Sequence, residues 1–103
     1  MQVFEDVEII KAANIYFDGK VTSRVVNFKD GRTKTLGIMM PGSFEFSTKK
    51  HELMEIMAGE IDVLLPGHKA WRTIKAGESF EVPSQSAFKL EVKIVVDYCC
   101  SYS

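Results

Sequence analysis

From Phe88 to Ile94 the chain alternates strictly, with Phe88, Leu90, Val92 and Ile94 on one parity and Lys89, Glu91 and Lys93 on the other. Successive side chains of a strand point to opposite faces, so this period of two predicts a strand with one face buried and one in water. The same parity organises much of the remaining sequence. Phe44, Phe46 and Thr48 share a face opposite Glu45, Ser47 and Lys49, while Ile61, Val63 and Leu65 line up, as do Phe80 and Val82 against Glu81. Glu52 has the parity of Met54, Ile56 and Ala58, which puts a carboxylate on the apolar side of its strand. Glycine and proline cut these runs short. Lys29-Asp30-Gly31-Arg32 has the Asp-Gly pair of a tight hairpin, Ala58-Gly59-Glu60 permits a sharp reversal, and Leu65-Pro66-Gly67-His68 reads as a type II turn. The pattern predicts an all-β domain of roughly eight to ten short strands in two sheets, with most sequential strands paired. Helical turns are expected only in the first dozen residues and over Lys49–Glu55.

Composition narrows the partners more than the fold. The 103 residues suffice for one domain with a real core, and 46% are hydrophobic, an ordinary share for a globular protein. Lys and Arg number 13 against 14 Asp and Glu, a net charge of -1, so there is no electrostatic case for nucleic acid or an anionic membrane surface. No apolar run approaches the roughly 20 residues of a membrane-spanning helix. The N-terminal sequence has acids where a signal peptide would have basic residues, which makes the cytoplasm the expected location. The two cysteines, Cys99 and Cys100, are adjacent. In a strand they point to opposite faces and cannot staple the fold, so one core thiol and one surface thiol are expected.

Two spacings carry most of the remaining information: Glu52-x6-Gly59 and, eighteen residues past that glycine, Gly77-x5-Pro83. They resemble the two motifs of a cupin barrel. A metal-binding cupin has two histidines ahead of the glutamate and a third five residues after the proline. Here the first positions fall on Phe46 and Thr48 (or, with a spacer one residue longer, Glu45 and Ser47), and the third falls on Phe88. The resemblance implies a single-domain, RmlC-like jelly-roll cupin whose metal ligands are gone, so no metal and no cofactor are expected. Its chemistry must come from a carboxylate, hydroxyls and aromatic rings.

Glu52 is the first candidate, because a carboxyl on an apolar face either raises its pKa or acquires a partner, and a raised pKa suits proton transfer. Phe46 and Phe88 flank it in the motif frame and are candidates for stacking on a planar ligand. Tyr98 and Tyr102, on the last strand, could add a hydroxyl to the site, with edge packing the favoured reading. His51 and His68 read as exposed loop residues, with no second histidine or cysteine at metal spacing. An anion would be held by cations such as Lys20, Arg24, Arg32, Lys34 or Arg72. Arg32 is favoured because guanidinium grips phosphate bidentately.

Longer stretches narrow the family. Asn14-Ile15-Tyr16-Phe17-Asp18-Gly19-Lys20-Val21, Gly31-Arg32, Gly37 to Thr48, Val63-Leu64-Leu65-Pro66, Trp71, Ala76 to Pro83 and Phe88 resemble the signature of the pyrimidine/purine nucleoside phosphorylases, a small metal-free cupin group. The likeness runs from Asn14 to Tyr102, dividing the chain into an N-terminal extension, 1–13, that packs on the barrel or a partner, and a cupin domain, 14–103. It implies phosphorolysis of ribonucleosides to a free base and ribose 1-phosphate, broad tolerance of the base, and a homodimer. Lys49-Lys50-His51 is basic where related chains tend to be acidic, and Ser101 stands where an arginine is expected. Within that reading Glu52 protonates or hydrogen-bonds the leaving base or holds the ribose hydroxyls. Phe46 and Phe88 stack on the base, Thr48, Ser84 and Gln85 bind ribose, and Arg32 with Lys20 holds phosphate. The alternative is a non-catalytic cupin that binds a sugar or nucleoside, which gains if Arg32 and Lys20 point away from the pocket.

Overall fold

The computed structural model describes residues 2–103. Its strands in chain order are β1 (Val7–Ile9), β2 (Asn14–Tyr16), β3 (Val21–Phe28), β4 (Thr33–Met39), β5 (Gly42–Ser47), β6 (Glu52–Ala58), β7 (Glu60–Leu64), β8 (Arg72–Lys75), β9 (Ser79–Val82), β10 (Ala87–Val92) and β11 (Val96–Tyr102). A single 3-10 turn, Phe17–Gly19, joins β2 to β3. Neither segment expected to turn helically does so. The N-terminal stretch instead contributes β1, which pairs with β3, and the Phe4 ring stands edge-on to Phe28 at 5.1 Å. Among the described residues no helix is long and apolar enough to cross a membrane.

The strands form two antiparallel sheets. The larger has the order β1-β3-β4-β11-β6-β9 with β2 also on β3, and the smaller has the order β5-β10-β7-β8. Sequential pairing is the exception, confined to β2–β3, β3–β4 and β7–β8. From β4 onward the chain keeps changing sheets, so β5 pairs with β10, β6 with β9 and β11, and β4 with β11. This corrects the expectation of mostly sequential pairing. Short strands with one apolar face are buried most fully by crossing to the facing sheet, which yields a jelly roll rather than a meander.

Parity decides what enters the space between the sheets. Met39, Met54, Ile56 and Val82 come from the larger sheet, and Phe44, Ile61, Val63, Phe88, Leu90 and Val92 from the smaller. β10 stops at Val92, and Ile94, which the alternation placed on the buried face, lies beyond the strand and is 54% exposed. Gly37 sits where β3, β4 and β11 converge. A Cβ there would stand 2.6 Å from the ring carbon and hydroxyl of Tyr98 and would collide with the Thr22 carbonyl. The missing side chain is what lets the Tyr98 ring lie flat across β4.

The predicted turns hold. In the hairpin between β3 and β4, Gly31 adopts φ 92° and donates to the Phe28 carbonyl at 3.1 Å. In the turn after β7, Gly67 adopts φ 75° and His68 donates to Leu65 at 3.0 Å.

Burial yields a direct test of the packing. Leu90→Ala, at a position with no exposed surface, should cost about 2–5 kcal/mol in urea denaturation. Ile94→Ala, of the same sequence parity, should stay within about 0.5 kcal/mol.

Candidate active site

Glu52 opens β6, paired with Tyr102 of β11 on one side and Val82 of β9 on the other. Because β6 keeps the parity of Met54 and Ile56, both buried, its carboxylate points between the sheets. There it meets a cavity of about 410 Å³, within the range of small-molecule sites. The inward residues of β11, namely Tyr98, Cys100 and Tyr102, form one wall, and Phe46 and Phe88 of the smaller sheet form the other. Lys49 and Lys50, in the connection from β5 to β6, stand at its edge.

The electrostatics follow from burial. Desolvation raises the Glu52 pKa above the ordinary glutamate value of 4.5, against smaller lowering effects from the Cys100 thiol and the His51 charge. The thiol donates to Glu52 Oε1 at 3.5 Å. Burial also pushes the Tyr98 and Tyr102 phenols and the Cys100 thiol well above their usual values. These three groups therefore stay protonated near neutral pH and act as hydrogen-bond partners, not as anionic nucleophiles. Tyr102 shares a hydrogen bond with Thr35 at 3.1 Å, and Tyr98 donates to the Thr22 carbonyl at 3.4 Å.

The aromatic side is built from an unusual backbone. Phe17, Asp18 and Gly19 all have positive φ, at 51°, 56° and 90°. For the two non-glycine residues this region is disfavoured by on the order of 1–2 kcal/mol each. In return the turn brings the Phe17 ring to 4.9 Å from Phe44 and 5.4 Å from Phe46, while Tyr16 packs edge-on to Phe46 at 6.4 Å.

The structure brings together only part of the site read from sequence. Glu52, Phe46 and Phe88 line the cavity. Phe46 and Phe88 are cross-strand partners and stack on each other, with centroids 5.8 Å apart and planes 27° from parallel. A planar ligand between two rings needs about 7 Å, twice a van der Waals contact, so no base fits between them. Phe46, half-buried and bordered by Phe88, Phe17 and Tyr16, is the ring a ligand in the cavity meets. Thr48 is buried and does not line the cavity: its hydroxyl donates to Pro83 at 2.7 Å and accepts from the Ser86 N–H at 3.0 Å, clamping the loop before β10. Ser84 and Gln85 are exposed in that loop, away from the cavity lining. Arg32 lies one residue beyond Thr33, the register partner of Tyr102, at the same end of the sheet as Glu52. Its guanidinium, however, bonds Asp30 at 2.7 Å and lies 4.8 Å over the Phe28 ring. Lys20 is exposed and also outside the lining.

Several lining residues escaped the sequence reading. Cys100 shares the parity of Tyr98 and Tyr102, the two tyrosines whose hydroxyls the sequence sets second to edge packing, and all three line the cavity. Lys49 and Lys50 stood out as a basic departure without being placed at the pocket. Both cysteines are buried, which corrects the expected surface thiol: Cys99 faces away from the cavity but is flanked by Leu36 and Glu55, and burial raises its pKa to about 11. His51 is half-buried, with Nε2 3.3 Å from Glu81.

Two antiparallel sheets closing over a pocket with phenylalanines at the histidine positions define a cupin with a carboxylate-bearing cavity. A likeness of fold supports this class: the RmlC-like cupin of Shewanella frigidimarina superimposes with a TM-score of 0.71 at 16% identity, covering 99% of this chain and 87% of that one. The sequence profile of the family described as pyrimidine/purine nucleoside phosphorylase matches residues 11–102, and the chain belongs to that family. A pyrimidine/purine nucleoside phosphorylase of Wolinella succinogenes is 61% identical over 102 residues, 99% of this chain and 97% of the relative. A crystal structure from Acinetobacter sp. ADP1, described as a protein of unknown function, matches with a TM-score of 0.95 and 40% identity over 98% of both chains.

The raised Glu52 pKa has a stability consequence. Between the unfolded value near 4.5 and the higher folded value the native state binds more protons than the unfolded chain, so stability falls as pH rises through that window. Glu52→Gln, which cannot ionise, should melt a few degrees higher than the wild type at neutral pH, roughly the effect of a modest stabilisation in a domain of this size. The gain should disappear below about pH 4.5, where the wild-type carboxyl is protonated in both states.

Proposed function

We propose that the Glu52 cavity binds a ribonucleoside and phosphate and exchanges the base for phosphate, giving a free base and ribose 1-phosphate. The observation that carries this reading is a half-buried carboxyl of raised pKa in a cavity of about 410 Å³, walled by aromatic rings and protonated hydroxyls and edged by lysines. In the reaction the bond from the anomeric carbon to the base nitrogen breaks as a phosphate oxygen bonds to that carbon. Positive charge develops on the sugar, as in glycoside cleavage. Glu52 gives its proton to the departing base and regains one from solvent. A general acid of this kind contributes roughly 10²–10⁴-fold, and holding the two reactants together contributes up to about 7–11 kcal/mol.

The base lies against Phe46, beside Tyr16, and aromatic contact there tolerates purines and pyrimidines alike because every base has a π-face. Ser23 and Ser47, which line the cavity, offer hydroxyls to the ribose. Phosphate is held by Lys49 and Lys50, the cations that line the cavity, in place of Arg32 and Lys20. The placement of Arg32 on Asp30 also favours a second reading, a cupin that binds a nucleoside without turning it over.

A phosphate-dependence assay separates them. With uridine, inosine and adenosine, base release should require phosphate and yield ribose 1-phosphate. It should drop roughly 10²–10⁴-fold in Glu52→Gln and decline above the Glu52 pKa as the acid ionises. The Lys49→Ala/Lys50→Ala double variant should raise the KM for phosphate while Arg32→Ala leaves it near wild type. Nucleoside binding without any phosphate-dependent release would favour the binding cupin.

The outer face of the larger sheet is the surface we propose for a second copy of the chain. Leu36 and Ile38 are exposed at its middle, with Arg24 on the β3 side and Glu55 on the β6 side. In a dimer whose two-fold axis ran along the strands through this apolar centre, each Arg24 would stand opposite the other copy's Glu55, the self-complementarity a symmetric dimer needs. Light scattering should give twice the chain mass, and Ile38→Glu should reduce it to the monomer.

A further inference from the structure

We propose that Cys100 is a positioning residue for Glu52: its thiol donates a hydrogen bond to Oε1, fixing the carboxyl and leaving Oε2 directed to the substrate. The inference deepens the phosphorylase reading above and rests on Glu52 being its proton donor. Cys100 lies within β11, in register with Thr35 of β4 on one side and Met54 of β6 on the other, and is 2% exposed. Its Sγ–Oε1 separation of 3.5 Å is a sulfur hydrogen-bond distance, and among the described residues no other side chain is hydrogen-bonded to the Glu52 carboxyl. Tyr102, opposite Glu52 in the register, has its hydroxyl committed to Thr35, and His51 points its ring to Glu81 and Ser103. A side chain at the start of a strand has rotamer freedom to lose, and a rigid donor two strand positions from the glutamate's own partner removes it at little cost.

The thiol suits this task because it is a weak donor. A strong donor such as an arginine would hold the carboxyl ionised and destroy it as an acid. An apolar residue would leave it unoriented. The charged and titratable groups around Glu52 are His51 beside it, Cys100, Tyr98 and Tyr102 on β11, and Lys49 and Lys50 at the edge of the cavity. Of these, Cys100 alone touches it.

Infrared spectroscopy of the S–H stretch reads the bond without depending on activity. In a Cys99→Ala background only the Cys100 thiol contributes. Its band should sit at the lower frequency of a hydrogen-bonded thiol and move to higher frequency in Glu52→Leu, which removes the acceptor. An unmoved band overturns the proposal. In turnover, Cys100→Ala should shift the Glu52-dependent limb of the pH–rate profile upward by roughly half a pH unit, because loss of a donor to the ionised form disfavours ionisation. Cys100→Ser, which restores a donor, should return the limb toward wild type. A Cys100→Ala profile that coincides with wild type overturns the positioning role even where the infrared shift is seen. If Cys100→Ala fails to fold, the infrared comparison and Cys100→Ser decide. Full turnover in Glu52→Gln has a different signature: it removes Glu52 as the acid, and the positioning role with it, whatever the thiol band does.

Discussion

β11 is hydrogen-bonded on both sides, to β4 from Val96 to Tyr102 and to β6 from Asp97 to Tyr102. A strand paired on both edges cannot slide, because a one-residue slip would send every side chain to the opposite face. Tyr98, Cys100 and Tyr102 are thereby held inward, and Glu52 is fixed opposite Tyr102. Gly37 completes the constraint by making room for the Tyr98 ring. The larger sheet lines the cavity with hydroxyls, a thiol and a carboxyl, and the smaller sheet lines it with phenylalanines.

Burial then gives each group its character. The same desolvation that raises the Glu52 pKa keeps the neighbouring phenols and thiol protonated. A single proton-carrying carboxyl among neutral donors is chemically simple, and it suits a reaction in which positioning of two reactants does most of the work. The strained Phe17–Gly19 turn fits the same picture. Its unfavourable backbone is compensated by packing of Phe17 against Phe44 and Phe46, which fixes the ring proposed to carry the base.

Much of this was legible in the chain. Parity placed Glu52, Phe46 and Phe88 on inward faces, the Asp-Gly and Pro-Gly pairs marked real turns, and the motif spacings pointed to the sheet architecture. Thr48 shows where such reading stops. It shares the inward parity of Phe46, yet its hydroxyl is occupied by the Pro83–Ser86 loop, whose approach no local pattern records. Arg32 fails for a related reason: a guanidinium reaches far enough to choose among several partners, and Asp30 with the Phe28 ring lies nearer than the cavity. Ile94 kept the alternation of β10 but fell beyond its end, because pairing with β5 and β7 stops at Val92.

The sequence by itself determined what is local: which side chains share a face, where the chain reverses, and that an acid falls among apolar neighbours. Those follow from a period of two and from glycine and proline geometry, which act over a few residues. The tertiary structure alone decided which strands pair across long separations, which hydroxyls are used up in clamps, and which cations reach the cavity. Each of these depends on groups distant in the chain competing for one position in space, and that competition is settled only when the two sheets close.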